Sequence, residues 1–435
     1  MKRISLCIVL ILATALYATQ SRVESMGKRS AFFLDDITIF ENPANATFYS
    51  NALMGELGFY KQNTLGPSNI GHNYDPLSPW FGALFKFGLA ESHMRDPQIT
   101  IGGVFGREHY NFTRFVPSEV VVSGLHVKVP QTITNFDAFL AGTMVDGSAV
   151  GAHVYVGVQD GKQDHVSGNP AKGDLAENAH VSILAMDYGA NFLVTNSTSI
   201  ELTLGVARIQ YGPSRKTFLD PGLFSFYSQG RLFVDVNPIG GQFVTGYKIA
   251  DMEVPGWEEN YYNLNFGLNV VIPRGFFWVG IDGVRIKETV GSFSLENDGK
   301  NLVYREPGSM DVVLNDRADH MGGILSFGIE RNVWGKWFTL RVGGQKGFMY
   351  NKCTNLSGLG EKSPICDLPQ GTKGNFWSTN PYGDGTLEDH VGFGFGLNIE
   401  DKLKIDAALS EDIVFRNPFQ GSGRFVSRVS AVYTF

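Results

Sequence analysis

Residues 258–272 read EENYYNLNFGLNVVI. Pro273-Arg274 follows, and then residues 275–287, GFFWVGIDGVRIK. In the first run Tyr262, Leu264, Phe266, Leu268, Val270 and Ile272 share one face, while Tyr261, Asn263, Asn265, Gly267 and Asn269 share the other. A period of two puts one face of a strand in an apolar medium and the other in a polar one. The pattern recurs upstream, where Ile200, Leu202, Leu204 and Val206 oppose Glu201, Thr203, Gly205 and Ala207. Val150, Ala152, Val154, Val156 and Val158 likewise oppose Gly151, His153, Tyr155, Gly157 and Gln159. A soluble sandwich alternates in the same way, so alternation alone leaves two all-β fold classes open.

The connections separate them. The alternation predicts fourteen strands, near 52–61, 80–89, 99–110, 133–145, 149–159, 180–194, 199–211, 258–272, 275–287, 320–331, 336–346, 390–399, 403–415 and 424–435. Tight turns fall at 146–148, 195–198, 273–274, 332–335 and 400–402, and between them lie the long segments 160–179, 212–257, 288–319 and 347–389. Short turns alternating with long loops are the format of a closed antiparallel transmembrane β-barrel, with short periplasmic turns and long extracellular loops. An even count returns both termini to the periplasmic side. Two strand-like runs, Glu119–Val129 and Arg231–Asp251, are left inside outer loops, so sixteen strands remain open as an alternative.

Composition agrees. Only 18% of the 435 residues are charged, 13% are aromatic with 33 Phe among them, and 52 are Gly. The mean hydropathy of −0.06 excludes a polytopic helical membrane protein, and the apolar content excludes a disordered chain. At the N-terminus Lys2 and Arg3 precede an apolar run from Ile4 to Leu16, with small residues at Ala13, Ala15 and Ala18. This is the layout of a cleaved secretory signal over residues 1–18. Cys7 lies at the front of the run, which argues against lipid attachment there. Loss of Lys2 and Arg3 takes the formal charge from −7 to −9, and no basic stripe invites nucleic acid. Cys353 and Cys366 remain, an even pair closing a short loop in an exported chain, which reads as a disulfide.

The last strand ends on Phe435, with Tyr433, Ala431 and Val429 on its face. It resembles the terminal signal by which bacterial outer-membrane barrels are recognised, which makes the barrel-assembly machinery an expected partner and Tyr433 and Phe435 the signal residues. Inward faces carry Asp137, Asp187, Glu201, Arg341, Asp406 and Arg428, and Gly392, Gly394 and Gly396 leave one face of a strand bare. Relief of crowding and close approach of an inserted segment both account for that bare face. Tyr262, Trp337 and Tyr433 are candidates for the interfacial aromatic girdles.

Between the signal and the first strand, residues 19–51 are too apolar for a free tail and too irregular for a strand. The stretch runs Met26-Gly27-Lys28-Arg29-Ser30-Ala31-Phe32-Phe33-Leu34-Asp35-Asp36, and Asn42-Pro43-Ala44 follows Phe40 and Glu41. An exported barrel of this size with Asn-Pro-Ala just before strand one resembles the FadL-type hydrophobic-compound transporters and the related PorV-like barrels. The resemblance implies that residues 19–51 form a hatch inside a barrel spanning 52–435, with Asn42, Pro43 and Ala44 in the hatch. Phe32, Phe33 and Phe40 would then contact an apolar ligand or pack the hatch against the wall.

No GxSxG, HExxH, P-loop or paired CxxC motif occurs, the nine His show no metal-ligand spacing, and Gly392–Gly396 sits in a strand with no helix after it. No catalytic residue, metal or cofactor is therefore expected. The acidic stretch 384–389 reads as a Ca²⁺ loop or, more simply, as a solvated turn. Three functions follow: passive passage of small hydrophobic molecules through a hatch-gated barrel, a PorV-like binding or assembly component working through its long loops, and a general polar porin. Expected surroundings are outer-membrane lipid and a small hydrophobic ligand, in the cell outer membrane of a Gram-negative bacterium.

Overall fold

The computed structural model describes residues 20–435 apart from 50, 59–78, 89–96, 114, 117–118, 123–124, 129–133, 145, 161–179, 213–222, 237–239, 255–256, 292–294, 298–301, 305–314, 356–364, 366–367, 370, 379–388 and 410–425. The expected signal peptide therefore lies outside the described residues, as do Cys366 and most of the acidic stretch 384–389. No helix among the described residues is long and apolar enough to cross a membrane.

Among the described residues sixteen antiparallel strands close on themselves. They are β1 (Ala52–Gly58), β2 (Trp80–Gly88), β3 (Gln98–Phe105), β4 (Thr134–Thr143), β5 (Ala149–Asp160), β6 (His180–Thr195), β7 (Thr198–Gly212) and β8 (Ser225–Val236). The ring continues with β9 (Gly241–Val254), β10 (Trp257–Ile272), β11 (Gly275–Gly291), β12 (Asn315–Trp334), β13 (Phe338–Asn355), β14 (His390–Ile399), β15 (Leu403–Leu409) and β16 (Val426–Thr434). Each pairs with its neighbours in sequence, and β1 pairs with β16 from Ala52↔Thr434 to Gly58↔Arg428. A spanning sheet has to close in this way, because hydrocarbon offers no partner to an unpaired edge. An additional strand, Thr372–Ser378, pairs only with the outer end of β13. Two small hairpins, Glu119–Val122 with Leu125–Lys128 and Leu295–Asn297 with Leu302–Tyr304, stand apart from the ring.

The count corrects the expected fourteen. The segment 212–257 holds a full hairpin, β8 and β9, in register from Phe226↔Asp251 to Val236↔Gly241. Its alternation is masked for a physical reason. Toward the outer end of β9 the phase of polarity inverts, with Ala250, Met252 and Val254 buried inside and Asp251 exposed outside. On β8 the outward face is interrupted by Ser228 and Gly230. Only two residues then connect β9 to β10, with Val254 opposite Trp257. Short and long connections accordingly do not alternate strictly. Several strands also run past their expected ends, most of all β13, expected to stop near 346 and continuing to Asn355.

The two faces are as the alternation requires. Leu204 is 63% exposed while Glu201 is 2% exposed on the same strand, and Leu264 and Phe266 point out where Asn263 and Asn265 are buried. Tyr262, Trp337 and Tyr433 are all outward and exposed, Trp337 stacking on Trp334 at 6.1 Å. At the seam the Phe435 ring lies 6.4 Å from that of Tyr433 and 6.1 Å from that of Phe85, and the Phe435 amide donates to the Asn51 carbonyl. Cys353 is buried, with its Sγ 3.9 Å from the carbonyl oxygen of Ile365, the residue preceding Cys366.

Candidate functional site within the barrel

Residues 20–49 form one helical turn and a half, α1 (Gln20–Ser25), and three short 3₁₀ turns, Ser30–Phe32, Asp36–Phe40 and Pro43–Phe48. The chain leaves α1 through Gly27, with φ of +95°, where the Lys28 amide donates back to the Val23 carbonyl at 2.9 Å. A Cβ at Gly27 would lie 3.0 Å from the carbonyl oxygens of both Phe327 and Gly344, so this left-handed turn against the wall takes only glycine. Asp35 caps the second 3₁₀ turn and Asn42 the third, whose first residue is Pro43, a residue suited to a helix start by its fixed φ.

The segment touches strands on every side of the ring. Ser430 on β16 hydrogen-bonds Ser21 at 2.8 Å, and His390 on β14 meets the Glu24 carbonyl at 2.7 Å. Arg22 grips Glu330 on β12 through Nε at 2.7 Å and Nη2 at 3.2 Å, with Asp35 at 3.6 Å. Arg29 pairs with Asp282 on β11. Arg231 on β8 donates to the Ser30 carbonyl at 3.1 Å and lies 3.7 Å from Glu41. Asn42 accepts from the Ala44 amide at 3.0 Å and donates to the Ala190 carbonyl on β6 at 3.1 Å. Such contacts join residues 20–49 to inward side chains and backbone of strands around the ring.

Glycines in the wall make room for it. A Cβ at Gly343 would stand 2.6 Å from Met26 Cα, one at Gly151 2.6 Å from the Pro43 oxygen, and one at Gly392 2.8 Å from Ser25 C. On the bare face of β14, Gly392 and Gly394 are backed by Glu24 and Ser25, whereas Gly396 makes room for the Arg341–Asp406 pair. Gly267 and Gly280 face the Phe32 ring in the same way.

The aromatic residues singled out from sequence are packed. Phe32 is fully buried and stacked on Trp278 at 5.2 Å, and Phe33 fits between Phe276 and Trp278, each at 5.9 Å, with the Arg22 guanidinium over its ring. Phe40 meets Trp80 and Phe139 edge-on and carries the Arg107 guanidinium 3.8 Å above it. Asn42, Pro43 and Ala44 are buried.

The charges expected on the inner face are organised into clusters. Asp406 and Glu330 both bind Arg341, and Glu24 and Glu56 both bind Arg428. Glu201 binds Arg231. His153 is held between Asp187 at 2.6 Å and Asp137 at 2.8 Å, and Asp137 is also gripped by Arg107. Tyr227 donates to Asp187, and Phe139 stacks on the His153 ring at 4.5 Å. His153, Arg107 and Arg22 escaped the sequence reading because their partners are far away in the chain; only an inward position on an alternating strand marked His153.

Within the segment the carboxyls are not equivalent. Burial raises Asp36 well above the ordinary carboxylate range, and the neighbouring Asp35 carboxyl adds to the shift. Asp35 is itself raised by burial. Glu24 is also buried, yet Arg428 and Lys28 hold it below the ordinary value.

Toward the outer end the inner wall changes character. Ile183, Ile209, Met252, Val254, Ile286 and Met349 are all buried there, from β6 across to β13. A single helical turn, Tyr110–Thr113, and the residues after it pack Phe112, Phe115 and Val116 against this lining. Phe112 lies 5.9 Å from Tyr227, and Phe115 meets Trp257 edge-on at 5.5 Å. The inner wall therefore has two storeys: an inner one of ion pairs in contact with residues 20–49, and an outer one where an apolar cluster sits beside the buried polar residues Glu259, Glu288, His320 and Asn351.

No protein-family model matches the chain, and neither does any curated protein. Among solved structures it is similar to the CymD monoaromatic hydrocarbon channel, at 11% identity over 95% of this chain and 97% of that one, with a TM-score of 0.38. It is similar also to the Pseudomonas putida toluene transporter TodX, at 12% identity over 96% and 98%, TM-score 0.37. For the Ralstonia pickettii toluene transporter TbuX the identity is 12% over 95% and 97%, TM-score 0.35. At these values the likeness carries nothing about ligand or mechanism.

Proposed function

We propose that this chain, exported by its first 18 residues, is an outer-membrane channel through which small apolar molecules pass, with residues 19–51 acting as the hatch. The observation that carries the reading is the apolar outer storey. A water-filled porin keeps its lumen polar, whereas here Ile183, Ile209, Met252, Val254, Ile286 and Met349 belong to one buried apolar cluster on the inward face, interleaved with Glu259, Glu288, His320 and Asn351. An apolar solute gains roughly 25 cal/mol for each Å² it buries on such a lining, and an ion gains nothing there. The hatch is attached by charge clusters and by glycine-backed contacts, so its release is a matter of breaking a countable set of interactions.

The experiment is uptake of a fluorescent apolar solute into proteoliposomes, alongside single-channel conductance, for the full chain and for a variant lacking residues 20–49. The reading expects the full chain to be closed to ions and the shortened barrel to conduct. Equal ion conductance by both proteins would replace the hatch with a polar porin. A shortened chain that does not form a barrel would assign the segment a structural part only.

A further inference from the structure

The outward face of three adjacent strands ends in cations. On β11 the apolar residues Val279 and Ile281 give way to Arg285 and Lys287. On β12, read toward its outer end, Phe327, Leu325 and Met321 give way to Asp319 and Arg317. On β13, Phe348 and Tyr350 give way to Lys352. The added strand Thr372–Ser378 sets Trp377 opposite Tyr350 and Lys373 opposite Thr354. Lys287, Asp319 and Lys352 stand directly across from one another, and Arg317 is followed across the sheet by Thr354 and Lys373. Lys287, Arg317, Lys352 and Lys373 are all exposed.

Among the described residues one carboxylate sits between them. Asp319 is gripped by Arg285 through two hydrogen bonds, 3.0 and 2.9 Å, and that pair is neutral as a unit. Four exposed cations remain beyond it, within roughly 15–20 Å, since neighbouring strands lie about 4.8 Å apart. Lower on β13, Lys346 is matched by Asp389 and belongs to a separate pair. Glu258 on β10 lies opposite Thr289, diagonally beside Lys287, and with Glu253 and Asp251 on β9 it bounds the basic field on that side.

The position says what such a field meets. Trp377 is 73% exposed, and Tyr350 lies beside it at 5.3 Å, with Lys352 over the Tyr350 ring. Exposed aromatic rings at the limit of an outward apolar band mark the level of the membrane interface. Cations one step beyond them are at headgroup height, where their aliphatic stems cover apolar surface and their charged ends reach phosphate. Like charges grouped on a sheet face repel, and a polyanionic partner removes that cost. Arg and Lys together supply the directional and point-charge contacts that phosphate takes.

We propose that this rim, formed by Lys287, Arg317, Lys352 and Lys373, docks the phosphate groups of a phosphorylated glycolipid in the outer leaflet. The proposal rests on the outer-membrane reading above and not on the hatch. The test uses the full chain in mixed micelles containing bisphosphorylated lipid A, with bound lipid counted by native mass spectrometry. Retention by the wild type should fall at least about tenfold in K287Q/R317Q/K352Q, since each surface cation contributes a several-fold factor in binding an anionic lipid. The charge-preserving variant K287R/K352R should retain the lipid. Dephosphorylated lipid A should be held no better by the wild type than by the triple variant.

Equal retention of bisphosphorylated lipid A by wild type and triple variant would overturn the proposal. So would competition by phosphatidylglycerol at equal concentration, which would reduce the rim to a general anionic attraction. Because these side chains face away from the lumen, conductance and uptake should be identical in all the variants, and failure of the hatch reading leaves the lipid result standing.

Discussion

The wall glycines offer a direct handle on the seated segment. In Gly343→Ala the new Cβ would lie 2.6 Å from Met26 Cα and 2.7 Å from the Met26 oxygen; in Gly151→Ala it would lie 2.6 Å from both the Pro43 oxygen and the Ala44 nitrogen. Ordinary contact begins near 3.4 Å, so backbone facing both glycines must retreat by at least about 0.8 Å, and no side-chain rotation relieves it. Overpacking of this kind costs about 1–3 kcal/mol at each site. The sites lie on β13 and β5, far enough apart for the costs to add. The double variant should therefore raise the unseated population by a factor between about 30 and 10⁴. The strand ladders themselves carry no new atoms in their path, so the barrel should still form. The assay is tryptic cleavage after Lys28 and Arg29 in refolded protein, with heat-modifiable gel mobility reporting the barrel. Gly283→Ala is the control, because its Cβ meets only Leu264 O at 3.9 Å. If the double variant is cleaved no faster than the control, close backbone approach is not what holds the segment, and the reasoning fails.

Other outcomes follow from the same geometry. Arg22→Met removes two hydrogen bonds to Glu330 and the cation beside Asp35, while Glu330 keeps Arg341; loss of charge-assisted hydrogen bonds costs about 1.5–3 kcal/mol, so cleavage after Lys28 should rise at least about tenfold. Asp36 has a raised pKa when the segment is seated; seating is then favoured at low pH and weakens as pH rises from the ordinary carboxylate value through the raised one. Cleavage should accordingly be faster at pH 8 than at pH 5 in the wild type and flatter with pH in Asp36→Asn. Phe115→Ala removes a fully buried ring from the outer storey and should admit an apolar fluorescent probe that the wild type excludes, read by emission enhancement. Deletion of Phe435 should lower the folded yield in cells while leaving refolding in detergent intact; equal loss in both settings would make that residue structural.

Much of the barrel was legible because membrane and lumen impose opposite demands on alternate residues. Leu264 and Asn263 declare their sides as soon as they are read. Where a strand rises beyond the apolar band the demand disappears, and with it the signal. That is why Ala250, Met252 and Val254, inside, and Asp251, outside, concealed β9, and why Arg317 and Asp319 concealed the outer end of β12. The sequence marked residues 19–51 as a unit, and within it Asn42 and Pro43 start the third 3₁₀ turn. It had no means of pairing Arg22 with Glu330 or His153 with Asp187, because a hydrogen bond across a barrel leaves no periodicity in the chain. The apolar outer storey was hidden for the related reason that Ile183 and Ile209 lie on the face that carries polar residues elsewhere.

The hydrogen bond between Ser21 and Ser430 joins residues 409 positions apart. A segment near the start of the described chain thus makes contacts that do not exist until the last strand is in place. A cylinder closed first would have to be threaded afterwards by its own beginning, past a wall already bristling with Arg341, Arg428 and Arg231. If instead the final seam, β1 against β16, zips around a segment already lying along the growing sheet, each new strand adds part of the binding surface in turn. The fold thereby makes the order of assembly a physical question, and the short register between Ala52 and Gly58 is the place where enclosure becomes complete.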